Sequence, residues 1–195
     1  MMAAAMRVLG FLAAVAILYG LQQTMPGYGE ITRPIAVEGP IGERLVARDF
    51  ALTVKKVSLA REIVVEAFGK ERSYTTSGIW AVAEAVAEAR QESVTVMAAE
   101  WLAPNGARYA MTERLSSVPG LLQDNRLEPG LPRKVLFVFE VPRDQAKGAT
   151  LLVSRNAYIP LDSELNVSID PGQTPAVVNT SRIAGTADDW QVTLQ

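Results

Sequence analysis

The sequence predicts an all-β fold: an antiparallel β-sandwich preceded by one N-terminal transmembrane helix. Three observations point there. About seven short strand-like runs follow one another between residues 45 and 169, separated by turn residues, which is the spacing of a sandwich. No charged residue occurs from Val8 to Gly29. The 195-residue chain is 49% apolar, which suits one cored domain plus an appendage and excludes global disorder.

The N-terminus comes first along the chain. Val8–Leu21 is almost entirely apolar, and Arg7 and the free amine precede it. Extending the run from Met6 to Met25 reaches the roughly 20 residues that a bilayer core of about 30 Å requires. A cleaved signal peptide opens in the same way, but it ends in an Ala-x-Ala-like site. Here Tyr19 to Pro26 offers none, so an uncleaved anchor is favoured over a removed signal. A buried core helix is the third reading, and the lack of any polar face counts against it. The charge rule leaves Arg7 inside and everything after Pro26 outside. Residues 1–7 thus read as a cytoplasmic stub, 8–25 as the anchor and 26–41 as a Pro- and Gly-bearing tether.

Strands are expected at Leu45–Ala47 and Phe50–Val57, the second alternating Phe50, Leu52, Val54 against Ala51, Thr53, Lys55. Glu66–Ser77 is polar and reads as a loop. Ile79–Arg90 fits two periods: Ile79, Val82, Ala83, Val86 and Ala87 make a helical stripe, while Ala81 to Ala89 alternate on one face of a strand. Ser93–Leu102 and Tyr109–Thr112 flank Asn105-Gly106, a tight-hairpin signal because that turn needs positive φ angles. Ser116–Asn125 is a long loop. Lys134–Val141 is apolar on both faces, as a central strand should be, and Pro142 stops it. Thr150–Ser154 and Glu164–Ile169 follow, and the tail 171–195 ends in alternating Trp190, Val192 and Leu194, read as one edge strand.

Certain runs in this order are similar to a known family. They are "LTVKKVSL" (52–59), Gly78-Ile79-Trp80, "WLAPNGARY" (101–109), "LEPGLPRKVLFVFEVP" (127–142) and the final "LNVSID". Together they resemble bacterial immunoglobulin-like extracytoplasmic domains of unknown function, whose fold is similar to that of the mycobacterial immunoprotective extracellular antigen. The resemblance spans residues 42–170. It implies an immunoglobulin-like sandwich there and a strand at Ile79–Glu88, although Ala89-Arg90-Gln91-Glu92 departs from the family's usual turn. It brings no catalytic residues.

Composition narrows the chemistry. Without cysteine there are no disulfides, thiolate nucleophiles or Cys-ligated metals. Without histidine the usual general base and every Ser-His-Asp arrangement are missing. With 19 basic and 21 acidic residues the net charge is −2, which gives no electrostatic basis for nucleic-acid binding. No Gly-rich phosphate loop occurs, and Ser116 and Ser117 have no activating partner. Glu84 and Glu88 share one face, and Asp162, Glu164 and Asp170 lie near each other; both sets, like Asp188-Asp189, read as ordinary surface carboxylates.

Aromatic residues outside the expected core are candidate partner anchors: Tyr74, Tyr158 and Trp190, the last of which reads equally as a core-covering edge residue. No catalytic, metal or cofactor residue is expected. The expected function is a membrane-anchored module at the cytoplasmic membrane, with its C-terminal domain in the periplasm. There it contacts an envelope protein or ligand without catalysis. The alternatives are a small-ligand or cation carrier, using a cavity that the Ala81–Ala89 row would leave between the sheets, and a carboxylate-only hydrolase.

Overall fold

The computed structural model describes residues 2–25, 32–67, 69–96, 98–115, 118, 120–121, 126–156, 161–170, 172, 176–186 and 189–195. They form two units, Met1–Arg33 and Pro34–Gln195. The first contains helix α1 (Met2–Thr24), rich in Ala, Leu and Met, which are strong helix formers. Thr24 Oγ1 donates to the Leu21 carbonyl at 2.9 Å near its end. Every described side chain from Met6 to Met25 is exposed, including Leu9, Phe11, Leu12, Ile17 and Leu18. Among the described residues, no helix is long and apolar enough to cross a membrane. The expected anchor at 8–25 is a helix, but Arg7 before it and Gln22-Gln23-Thr24 at its end confine the apolar stretch to Val8–Leu21.

The second unit is a two-sheet sandwich. Its strands are β1 (Ile35–Pro40), β2 (Leu45–Val46), β3 (Phe50–Ala67), β4 (Lys70–Ala89), β5 (Val94–Thr95), β6 (Ala98–Leu102), β7 (Arg108–Ala110), β8 (Arg126–Leu127), β9 (Arg133–Val141), β10 (Thr150–Ser154), β11 (Ser163–Ser168), β12 (Val177–Gly185) and β13 (Trp190–Leu194). One sheet runs β1-β11-β10-β6-β7, and the other β13-β12-β3-β4-β9 with β2 on β3; β5 and β8 pair separately. The expectation of antiparallel sheets throughout is corrected at two places: β1 lies parallel to β11, and β12 parallel to β3. Neither pair is joined by a tight turn, so nothing local forces the antiparallel sense.

The β3–β4 hairpin is the spine, and two irregularities in its register decide which side chains point where. Along β3 the first apolar cluster takes Phe50, Leu52, Val54, then Val57 and Leu59. The step from Val54 to Val57 is one residue too long for plain alternation, and the ladder shifts there. This bulge leaves both Lys55 and Lys56 exposed and returns Val57 to the interior. The second shift sets Arg61 on β3 against four residues, Thr76–Ile79, on β4. Beyond it Ile63 and Val65 belong to a different apolar cluster from Leu59.

β4 therefore feeds two cores. Ile79, Ala81, Ala83, Ala85, Ala87 and Ala89 face the opposing sheet; Trp80 and Val82 face outward into a smaller cluster with Ile63, Val65, Leu136, Val138, Ile183 and Trp190. The period-two reading of 79–89 holds, and tertiary packing overrides the helix propensity of Ala and Glu. The alanine row shares its cluster with large side chains of the opposing sheet. Trp101 reaches across from β6, its ring 5.7 Å from Phe139 of β9, and its Nε1 donates to the Gln145 carbonyl at 3.2 Å. Trp101, Phe137, Phe139 and Ala83 are all 0% exposed.

β9 is apolar on both faces for the same reason, yet it is last in its sheet rather than central. Residues 111–115, 118 and 120–121 form a strap along its free edge. The Thr112 amide donates to the Val138 carbonyl at 2.9 Å, and the Leu136 amide to Gly120 at 2.6 Å. Leu115, Val118 and Leu121 of this strap join the outer cluster, where Trp190 also sits. Gly120 has φ +82°, and a Cβ there would lie 2.0 Å from Trp190 Nε1, so only glycine fits.

Other sequence expectations change too. The polar stretch 66–77, read as a loop, runs as strand apart from its turn because β3 supplies partners from Glu66↔Glu71 to Glu62↔Thr75. Residues 35–40, read as tether, form β1 along β11. The tail adds two strands, not one, and Trp190 is 3% exposed. The Asn105-Gly106 turn is present, with Gly106 at φ +85° and the Ala107 amide donating to Asn105 Oδ1 at 2.9 Å.

The close burial of this cluster makes a direct prediction. Replacing Ala83 with Leu inserts a bulky side chain beside its cross-strand neighbour Phe137, both of them 0% exposed, so urea denaturation should show a loss of about 1–3 kcal/mol. An unchanged or raised midpoint would mean that the alanine row borders a void.

Candidate functional site

The three aromatic candidates have different fates. Tyr74 lies in β4, half-buried against the outer cluster, and its carbonyl accepts from Trp80 Nε1 at 3.0 Å. Trp190 is buried in that cluster and is not an exposed anchor. Tyr158 lies outside the described residues, as do Ser116, Ser117 and Asp188. The structure thus brings Tyr74 and Trp190 to one cluster, as packing residues.

Many of the carboxylates are engaged by arginine. Arg44 pairs with Glu88, Arg108 with Glu100 at 2.8 Å, Arg155 with Asp49 at 2.8 Å and Arg182 with Glu71 at 3.0 Å. Arg114 holds Glu140 at 2.9 Å, donates to the Thr75 carbonyl at 3.2 Å and lies over the Trp80 ring, so it ties the strap to β4 and β9. Asp162 and Asp170 accept from nearby backbone amides, Ser163 and Gly172, both at 2.8 Å. Asp189 is exposed. Glu164 is held above the usual carboxylate range by burial, with Arg108 opposing and Glu100 adding to the rise. Among the described residues no three His, Cys, Asp or Glu come together as a metal site.

Glu84 is different. It shares the outward face of β4 with Glu88, yet no arginine reaches it. Its Oε1 is buried and has no hydrogen-bond partner among the described residues. Burial raises its pKa above the ordinary 4.5, while the charges of Lys56 and Lys134 pull the other way. It borders a cleft of about 310 Å³ lined by Lys55, Ala85, Val86, Lys134, Trp190, Gln191 and Val192. β4 supplies the carboxylate, β3 and β9 the lysines, and β13 an apolar wall. The bulge at Lys55-Lys56 creates the site by putting two consecutive lysines at the surface.

A cleft of about 400 Å³ opens at the other β4 irregularity, lined by Thr76, Ser77, Gly78, Tyr109, Glu140 and Arg143 among others. There Glu140 is already bound by Arg114 and Thr112. A third, of about 420 Å³, crosses β1, β11, β10 and β6 and is lined by Glu38, Thr150, Asn166 and Ser168. The Glu84 cleft alone of the three combines two lining ammonium groups with an unpaired carboxylate oxygen. One hint of it was legible in the sequence, the lysine doublet that interrupts an alternating strand. Nothing there announced that the tail would line the cleft.

No family model matches the chain and no curated protein is similar to it in sequence. Among solved structures, the chain is similar to an uncharacterized β-sandwich protein from Clostridium difficile 630, with 13% identity and a TM-score of 0.49 over 74% of this chain and 99% of that one. It is also similar to the yjhA protein from Bacillus subtilis, with 16% identity and a TM-score of 0.45 over 66% of this chain and 98% of that one.

Glu84 sets a pH dependence. Its folded pKa lies above the unfolded value, so its contribution to stability is complete below the unfolded value and is lost as pH rises through the folded one. Glu84→Gln should therefore raise the urea midpoint at about pH 7 and leave it unchanged near about pH 3. A variant less stable than wild type at neutral pH would show that the lysines outweigh burial.

Proposed function

We propose that the protein is a membrane-tethered, extracytoplasmic binding or structural module that works through contacts with envelope components and not through catalysis. The observation that carries this reading is helix α1. Leu9, Phe11, Leu12, Ile17, Leu18, Tyr19 and Leu21 are each more than half exposed, on all sides of a helix whose one charge is Arg7. Apolar surface of that extent marks an interaction site, and a helix without a polar face suits lipid better than a protein groove. Its apolar stretch Val8–Leu21 is shorter than an ordinary span, a mismatch that snorkelling of Arg7 and local thinning of the bilayer would accommodate, with the N-terminus cytoplasmic and the sandwich on the far side.

The sandwich supports the second half of the reading. Its core side chains are buried, and arginine–carboxylate pairs tie separate elements together, Arg108 of β7 to Glu100 of β6, Arg114 to Glu140 of β9 and Arg182 of β12 to Glu71 of β4, which suits a rigid presenting scaffold. The likeness to immunoglobulin-like extracytoplasmic domains agrees with such a role.

The test is fractionation of cells expressing the full chain. The protein should stay with membranes through alkaline carbonate washing and be digested by protease added to spheroplasts. Leu12→Lys combined with Leu18→Lys should release it, since each lysine near a helix centre costs about 2.5–3.5 kcal/mol in lipid. Wild-type protein recovered in the wash, or protected in intact spheroplasts, would contradict the reading.

A further inference from the structure

The cleft beside Glu84 has the size and lining of a small-molecule site. Its roughly 310 Å³ falls at the lower end of the range of such pockets. Val86, Trp190 and Val192 give it an apolar wall, and Lys55 and Lys134 stand on the polar side. Neither lysine, nor the neighbouring Lys56, makes a hydrogen bond or ion pair among the described residues. This contrasts with the arginine–carboxylate pairs elsewhere on the same sheet. Glu84 places a carboxylate among these three cations, yet its Oε1 has no donor. Cationic donors therefore outnumber the acceptor they surround and are left open. Glu88, the next acid on that face, is neutralised by Arg44.

We propose that this cleft binds a small organic anion, an oxyanion on an apolar body, with Lys55 and Lys134 taking the charge and Trp190, Val86 and Val192 packing the body. A carboxylate or phosphate fits the two ammonium groups as a charge-assisted hydrogen-bond acceptor. A cation is disfavoured because the lysines outweigh Glu84. The anion's source is either a free solute or a lipid headgroup. This site goes beyond the tethering role and stands or falls separately from it.

The test uses the full chain in phosphatidylcholine nanodiscs, with indole nitrogens labelled, so that Trp80, Trp101 and Trp190 give three separate N–H signals. Benzoate is the probe, with benzylammonium and benzyl alcohol as controls of equal shape. Benzoate should shift the Trp190 signal saturably and leave Trp80 and Trp101 in place, while the controls do nothing. Lys134→Met or Lys55→Met should weaken binding about threefold, as loss of one partly exposed charge contact does, and Glu84→Gln should tighten it by about the same factor. Unmoved Trp80 and Trp101 signals certify the fold of each variant, and either lysine variant suffices if the other fails. A shift that needs phosphatidylglycerol in the discs in place of benzoate assigns the lipid headgroup as source. No Trp190 shift with either probe, an equal response to benzylammonium, or affinity indifferent to all three substitutions would overturn the proposal.

Discussion

The rest of the sandwich depends on the ladder between β3 and β4. These are the two longest strands, and β2, β9 and β12 all attach to them. Regular alternation along so long a pair would give the hairpin one buried and one wet face from end to end. The two register shifts prevent that. The first turns Lys55 and Lys56 out without disturbing the core row, and the second re-aims Ile63 and Val65. As a result both faces of the hairpin carry apolar side chains, and each needs a cover.

The opposing sheet covers one face. Leu115, Val118 and Leu121 of the strap, with Trp190 from the tail, cover the other. The same strap also satisfies the free edge of β9, which would otherwise be an apolar strand open to pairing with another chain. Arg114 links the strap to β9 through Glu140 and to the β3–β4 hairpin through the Thr75 carbonyl, over the Trp80 ring. The tail is thus part of the fold, and β13 contributes Trp190, Gln191 and Val192 to the lining of the cleft beside Glu84.

Strands with local signatures were legible in the sequence. Lys134–Val141 declared itself by apolar residues on both faces, and Asn105-Gly106 by its turn chemistry. The alternation within 79–89 was visible, but its alanines argued for helix until tertiary context decided. What could not be read was non-local. Residues 70–77 are polar and become strand because β3 lies beside them; β1 and β12 pair in parallel with strands far away in sequence. Trp190 read equally as a partner anchor and as an edge residue because the cluster it fills is assembled from six separate stretches of chain. The candidate cleft was illegible for the same reason, with Glu84 and Lys134 on adjacent strands and the Trp190 wall contributed by the tail.

A two-cored sandwich on one hairpin makes its second core testable by a single truncation. Trp190→Ala, followed by far-ultraviolet circular dichroism in urea, should lower stability by about 3–5 kcal/mol, as removal of a buried tryptophan does. A loss below about 0.5 kcal/mol, the range of a surface substitution, would mean that the tail does not close the outer face of the hairpin.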